Sequence, residues 1–435
     1  MSYAPRRKKL NYKVVIPLLA LLVLIAYLGV HLLLGQNEET KENYTICDYS
    51  GEKTVKAINQ DAKADFTIKD YTFYGESLAL FKDAYKGELA DGLSSLTVKL
   101  KNLCTGEETP FVVDKGLDRK IMLGNLTPGM YELYVSENLT DKRIVFDGDV
   151  DDSIMTITRH GKNQQVRVFT NQNLLQDYDI KMKKNYLFVE VTEKKIKKHT
   201  YDVAIDPAGL DASFTNGVVT NGNEGNGLVE AQEMYQAAVS LKEKLEAKGL
   251  KVLVLRNDSD AIDTYGRDGR LAKAYEAGAK YYFRLALDSD VSSDASGFNI
   301  FYSGHASNMF AARIGYDFHQ KTGLKGCTVY MKSTDEVGVI QSNLLAGLLD
   351  ERTVYDSDLW IRESGGRATQ AGLYSENTKK GTASFAYNNP YGMNSLHIYF
   401  GFVSNKNDAN TWKEQKDQII TSLANSISTY LQLEE

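Results

Sequence analysis

Cysteine is scarce. The 435 residues hold only Cys47, Cys104 and Cys327. These are too few and too scattered for a disulfide framework or a Cys-type zinc site. An outward-facing chain has room for one bridge and must leave a thiol over; the sequence predicts no structural disulfide. An excess of positive charge is lacking too. A net charge of −6 argues against the basic face of a general nucleic-acid binder, so no nucleic acid is expected as a partner. The first half also lacks catalytic chemistry. From Asp65 to Val191 no cluster of His, Cys and carboxylates suggests a reaction.

What is present begins with a long apolar run. Arg6, Arg7, Lys8, Lys9 and Lys13 precede Val14 to Leu34. The run is close to the ~20 residues that a helix needs to cross a bilayer. The positive cluster should stay in the cytoplasm and send the rest of the chain outside. A cleaved signal peptide is the competing reading. The run is long for one, and Gly35-Gln36-Asn37-Glu38-Glu39 is a poor cleavage site. The expectation is a single-pass cell-membrane protein with its C-terminal domains extracytoplasmic. His31 sits near the outer end of the run, at the interface.

Residues 35–64 are polar and without period, as in a linker. Short alternating runs then follow. Candidate strands are Phe66–Ile68, Leu96–Leu100, Phe111–Val113, Lys120–Leu123, Met130–Val135, Ile154–Ile157, Val166–Phe169 and Tyr186–Val191. Turn residues separate them at the spacing of an all-β sandwich. Leu126-Thr127-Pro128-Gly129-Met130-Tyr131-Glu132-Leu133, with Asn102–Gly106 upstream, resembles the last hairpin of Cna-B or transthyretin-like surface modules. An ordinary Pro-Gly hairpin reads the same way. The charged stretch Lys194–Lys198 then reads as a hinge.

The second half is organised around Tyr201–Pro207, a short apolar strand ending in Asp-Pro. A Gly- and Asn-rich loop runs from Gly209 to Gly227. Glu230 opens a helix whose Met234, Ala237, Ala238, Leu241 and Leu245 recur at helical spacing. Gly249 stops it, and Lys251–Leu255 with Arg256 forms a second strand and its end. Arg270–Ala274 and Ala277-Gly278-Ala279 lead into a third strand. Gly401-Phe402-Val403-Ser404-Asn405 precedes a closing amphipathic helix with Trp412, Ile419, Ile420, Leu423, Ile427 and Leu431.

In this order these segments resemble the zinc-dependent N-acetylmuramoyl-L-alanine amidases, which cut peptidoglycan. The resemblance implies an α/β C-terminal domain, a mixed sheet flanked by helices. The whole chain would then comprise a cytoplasmic tail at 1–13, a transmembrane anchor at 14–34, a linker at 35–64, a β-sandwich module at 65–193, a hinge at 194–200 and the amidase-like domain at 201–435.

The family's chemistry is largely missing. The resemblance implies zinc held by two histidines and a glutamate, with a second glutamate as general base. A catalytic zinc needs about three protein ligands. The first histidine position falls on Gly209 and the second on Ala286. The carboxylate ligand falls on Glu230, which is retained. The general-base position falls on Tyr399. His305 and His319, fourteen residues apart, cannot chelate one ion together. His397, two residues before Tyr399 on the same strand face, is the one candidate replacement ligand; a hydrogen-bonded strand histidine is the alternative. Arg284 shares a strand face with Ala286. It is expected to supply positive charge where zinc would sit and to pair with Glu230 or Asp206, or else to stand exposed at a strand end. Asp206, Glu230, Arg284 and Asp288 are the expected binding residues.

Gly365-Gly366-Arg367 and Lys379–Asn394 form a loop. Its Tyr374, Phe385, Tyr387 and Tyr391 either stack on sugar rings or pack the loop. The leading expectation is a membrane-tethered, non-hydrolytic amidase-like protein that binds peptidoglycan or an envelope protein and needs no cofactor. The alternatives are an active amidase with a rearranged zinc site, and a structural envelope protein whose β-module does the binding.

Overall fold

β-Branched and aromatic residues in short runs make the first half a sheet. The structure, a computed structural model, describes residues 64–433 apart from 84–92, 94, 115, 117, 119–120, 149–152, 160–161, 173–182, 194–199, 213–218, 265–267, 305, 330–335 and 342–391. The expected anchor and its basic flank lie outside the described residues. So do the linker up to residue 63, nearly all of the hinge, His305, and the Gly365–Arg367 and aromatic loop as far as Tyr391. Among the described residues no helix is long and apolar enough to cross a membrane.

The β-module contains β1 (Asp65–Ile68), β2 (Asp70–Tyr74), β3 (Ser77–Phe81), β4 (Thr97–Asn102), β5 (Glu108–Val112), β6 (Gly129–Glu137), β7 (Thr140–Phe146), β8 (Ser153–Arg159), β9 (Lys162–Thr170) and β10 (Leu187–Glu193). In β4, Val98, Leu100 and Asn102 point inward and the residues between them do not, the period of a half-buried strand. Eight of these strands form one sheet in the order β1-β7-β6-β10-β9-β8, with β4 on β6 and β5 on β4. The sheet branches at β6, whose nine residues pair with β4, β7 and β10. Ile68, Leu100, Leu133, Ile144, Val168 and Val189 share its core. β2 and β3 form a separate hairpin.

The sequence expectation differs here at three places. Of the expected strand Lys120–Leu123, Lys120 lies outside the described residues and the rest is not a strand: Met122 makes one isolated bridge to Ser77 and a 3-10 turn follows at Leu123–Asn125. The β2–β3 hairpin and β7 are additions to the expected set. Cys104, contrary to expectation, is disulfide-bonded, while Cys327 is a buried thiol whose Sγ accepts Val329 N–H at 3.3 Å.

The second half holds β11 (Val203–Pro207), two small hairpins β12–β13 (Asp211–Ala212, Val219–Thr220) and β14–β15 (Glu224–Gly225, Leu228–Val229), then α1 (Glu230–Glu246) and β16 (Val252–Val254). After these come α2 (Arg270–Glu276), β17 (Tyr281–Asp288), β18 (Asn299–Tyr302), α3 (Met309–Lys321), β19 (Val339–Gln341), β20 (Asn394–Phe402) and α4 (Lys406–Tyr430). The sheet order is β16-β11-β17-β20-β18-β19. β16, β11, β17 and β20 are parallel and β18 runs against β20, so the sheet is mixed.

The helical spacing of Met234, Ala237, Ala238, Leu241 and Leu245 becomes the buried face of α1. That face packs into one core with Val203, Ile205, Phe283, Ile398, Trp412 and Leu423. Gly249 at φ 85° closes the helix, with Leu250 N–H donating to Leu245 O at 3.2 Å, a left-handed closure that suits glycine. The opposite face of the sheet carries Ala204 and Tyr282 against Leu271, Tyr275 and Met393.

The two halves meet at the N-terminal ends of the parallel strands. Asp202 and Lys280, just before β11 and β17, are fully buried beside Glu76 and Arg159 of the β-module. Arg159 pairs with Glu76, and its other terminal nitrogen lies 3.9 Å from Asp202. Asp202 accepts Thr158 N–H from β8 at 2.9 Å and Lys251 N–H at 2.9 Å. Lys280 lies 3.8 Å from Asp202. A loop carboxylate of the module, Asp118, accepts from Ser307 N–H at 2.6 Å, Ser307 Oγ at 2.9 Å and Tyr430 Oη at 2.8 Å. Backbone joins as well: Gly75 N–H donates to Gly392 O at 2.6 Å and Gly392 N–H to Phe73 O at 2.8 Å.

Candidate functional site

The other ends of the same strands carry the residues singled out by sequence. In register, Asp206 stands beside Arg284 on β17, Arg284 beside His397 on β20, and Ala286 beside Tyr399. One sheet face therefore presents Asp206, Arg284, Ala286, His397 and Tyr399. Tyr282, Asn299 and Phe301 share it by the same registers.

Asp206 is fully buried at the end of β11 and sits among cations. Arg270 Nη1, also fully buried, lies 2.8 Å from Asp206 Oδ1. Tyr282 Oη donates to Asp206 Oδ2. Arg284 Nη1 stands 3.8 Å from the same oxygen, with its side chain 18% exposed. A buried carboxylate persists only when it is paired and hydrogen-bonded in this way.

Two arginines hold the loop that follows. Arg256 Nε donates to Pro207 O at 2.9 Å, and its Nη2 donates to Ala208 O and Ala231 O, each at 2.7 Å. Arg270 Nη1 donates to Pro207 O at 2.8 Å, and Nη2 donates to Thr264 Oγ1 at 2.5 Å. Burial first, and then repulsion from Arg270, pull the Arg256 guanidinium down to about 10; it stays charged at neutral pH. The sequence marks both arginines as matching positions only, without a role. An arginine after a strand or at a helix start reads as a surface residue.

The expected ligand positions do not form a metal socket. Gly209 has φ 83°, and a Cβ built there would lie 2.7 Å from both Cα and Cβ of Ala231 and 2.8 Å from Asn221 O. A histidine has no room at that position on this backbone. Ala286 is buried and offers no donor.

Glu230, the retained carboxylate, is already engaged by the main chain. Its Oε2 accepts Asn223 N–H at 2.7 Å and its Oε1 accepts Leu287 N–H at 2.8 Å. Asn223 Nδ2 also donates to Leu287 O at 2.8 Å. Glu230 thus ties the glycine-rich loop to the end of β17. Burial raises its carboxyl above the ordinary value, against the pull of these two N–H groups and of Arg284. A Cβ at Gly222 would collide with Glu230 Oε2, so the loop needs glycine to come this close.

His397 is buried, with its ring centroid 6.3 Å from that of Tyr282. Tyr399 is half-buried and meets Phe301 edge-on at 5.6 Å. Asp288 accepts its neighbour Ser289 N–H at 2.8 Å and Asn299 Nδ2 at 3.3 Å. His319 accepts Gly326 N–H through Nε2 at 3.2 Å, on α3. Among the described residues no three of His, Cys, Asp and Glu are grouped so that they could hold a metal ion. By room and by donor set, the described residues do not fit the family's zinc.

The Gly401–Asn405 stretch has a structural role. Gly401 takes φ 143°. Asp408 Oδ2 accepts both Phe402 N–H at 2.9 Å and Gly297 N–H at 2.8 Å. Asn405 caps α4 by accepting Asn407 N–H at 2.9 Å and Asp408 N–H at 3.2 Å, as an N-cap asparagine does. Its Nδ2 donates to Ser293 O at 2.8 Å.

Structures similar to the chain include AmiC2, an N-acetylmuramoyl-L-alanine amidase of Nostoc punctiforme (15% identity, 54% of this chain and 99% of that one, TM-score 0.35). The catalytic domain of CwlV from Bacillus (Paenibacillus) polymyxa var. colistinus is similar at 18% identity, over 54% and 100%, with TM-score 0.35. The CwlD amidase of Clostridioides difficile, solved in complex with the GerS lipoprotein, is similar at 14% identity, over 54% and 100%, with TM-score 0.32. No curated protein matches the sequence. The family model described as N-acetylmuramoyl-L-alanine amidase matches residues 203–429, from β11 nearly to the end of α4. On that match the chain belongs to the N-acetylmuramoyl-L-alanine amidase family.

Proposed function

We propose that this family member is a non-hydrolytic, membrane-tethered protein of the cell envelope. Its amidase-like domain grips peptidoglycan or an envelope protein at the C-terminal ends of β11, β17 and β20. The single observation that carries the reading is the crowding at Gly209, which excludes a histidine ligand on this backbone. The engagement of Glu230 by two backbone N–H groups supports it. Without zinc, nothing at Tyr399 can take a proton from water at neutral pH as a glutamate would.

Arg284 is the partly exposed cation at the rim, and a carboxylate or other anionic group of the wall polymer meets it there. Asp206 positions that guanidinium, Glu230 holds the loop beside it, and Asp288 borders it. Tethering rests on the apolar run at 14–34 with its basic flank and places these groups outside the cytoplasm. The disulfide on Cys104 supports the same compartment, because such bonds persist where the surroundings are oxidising.

Two measurements on the protein purified without chelator test the proposal. Elemental analysis should find no zinc in stoichiometric amount, and purified muropeptides should remain intact. Sacculus pull-down should retain the wild type and lose Arg284→Ala. One zinc per chain with chelator-sensitive release of stem peptides would establish the active-amidase alternative instead.

A further inference from the structure

The ends of the α/β sheet away from the rim are closed by the β-module, and we infer that this closure is permanent. The β-module is a fixed base of the amidase-like domain, neither a freely swinging binding arm nor a cover for the cleft. This inference does not depend on what the rim binds.

Three independent sets of contacts carry it. The first is a buried group of two cations and two carboxylates drawn from both halves. Glu76 and Arg159 come from the module, Asp202 and Lys280 from the sheet; none is more than 7% exposed. Formal charges in the group cancel. Parting the halves would wet all four and break the pairing of Arg159 with Asp202, so the group has no cheap intermediate state. Gly124 belongs to this fit, because a Cβ there would lie 2.8 Å from Arg159 Nη2.

The second set is Asp118. Its carboxylate takes the main-chain N–H and hydroxyl of Ser307, just before α3, and the Tyr430 hydroxyl on the last turn of α4. A module carboxylate thus sits at the start of one helix of the other half, where its charge suits the helix dipole. Gly116 comes so close that a Cβ there would lie 2.6 Å from Ser307 N. The third set is backbone: Gly75 and Phe73 exchange hydrogen bonds with Gly392, so the β2–β3 hairpin continues the entry to β20.

All three lie where the parallel strands begin, whereas Asp206, Arg284 and Tyr399 lie toward where they end. Among the described residues, a ligand at the rim therefore meets the α/β domain and not the β-module. Whatever it is, it is held at a fixed orientation to the module.

The experiment uses the full chain with a specific protease site replacing residues 194–199. After cleavage, the two pieces should co-elute at the size of the uncut protein, and the nicked protein should melt in one transition. The same cut in an Arg159→Glu, Asp118→Ala variant should release the pieces, with reassociation weakened about a hundred-fold or more, the scale at which a buried ion pair fails when one partner is reversed. Near-UV spectra of the uncut variant verify that both halves are folded before cleavage. Separation of the wild-type pieces, or two well-spaced melting transitions, would overturn the inference. Undiminished association of the cut variant would overturn the assignment of the clasp to these residues.

Discussion

Glu76 and Glu230 are two buried glutamates near opposite ends of one sheet, and both carboxyls are raised above their ordinary value chiefly by burial. Their surroundings differ. Glu76 faces other side chains, Arg159 and beyond it Asp202 and Lys280, contributed by two halves of the chain. Glu230 faces main chain, the N–H groups of Asn223 and Leu287. At the base, charge joins modules. At the rim, the residue expected from the sequence at the ligand position is a staple between a loop and a strand. The same residue type thus serves docking in one place and loop closure in the other.

The comparison breaks most sharply at Arg159. Arg159→Met removes the guanidinium bonded to Glu76 and leaves carboxylates buried at the junction. Stability to urea should fall by about 3–5 kcal/mol, with the melting transition of both halves lowered together. A drop confined to one half would show that base and rim are energetically separate. The next largest effect comes from placing histidines at the two expected ligand positions. Gly209→His with Ala286→His should cost on the order of 2–4 kcal/mol through overpacking and a positive φ, and the variant should still bind no zinc after dialysis against it. Zinc uptake with unchanged stability would make the rim a dormant metal site.

The smallest effect sharpens the comparison through pH. A carboxyl raised in the folded state contributes stability that is fully present below its unfolded value, here 4.5, and lost as pH rises through the folded value. Relative to Glu76→Gln, the parent should therefore gain stability as pH falls from 7 toward 4.5. The slope is at most about 1.4 kcal/mol per pH unit, the limit for a single proton. A gap constant with pH would mean that the Glu76 carboxyl keeps its ordinary value at the junction.

The fold of the second half was legible because its signals are local. The spacing of α1 and the glycines at 209 and 249 lie within a few residues of what they build. The β2 strand was missed although Asp70-Tyr71-Thr72-Phe73 alternates polar and aromatic residues; it is only five residues long and runs straight into the turn at Gly75. β7 was missed because it opens with Thr140-Asp141-Lys142-Arg143, a run that reads as a turn. The junction left no trace in the sequence. Glu76, Arg159, Asp202 and Lys280 are ordinary charges until folding brings them together; Glu76 and Arg159 alone stand 83 positions apart. Arg270 was passed over as a site residue since nothing in a helix-opening arginine announces full burial against Asp206. The disulfide on Cys104 was invisible because cysteine number and spacing do not reveal pairing.

Asp118 and Asn125 reach partners about three hundred residues downstream: Tyr430 lies 312 positions from Asp118, and the Leu431 carbonyl 306 positions from Asn125. A ribosome working from the N-terminus finishes the early half long before those groups exist. The last hydrogen bonds of the module must wait for the end of α4, which makes closing the body a late and slow event in the life of each molecule.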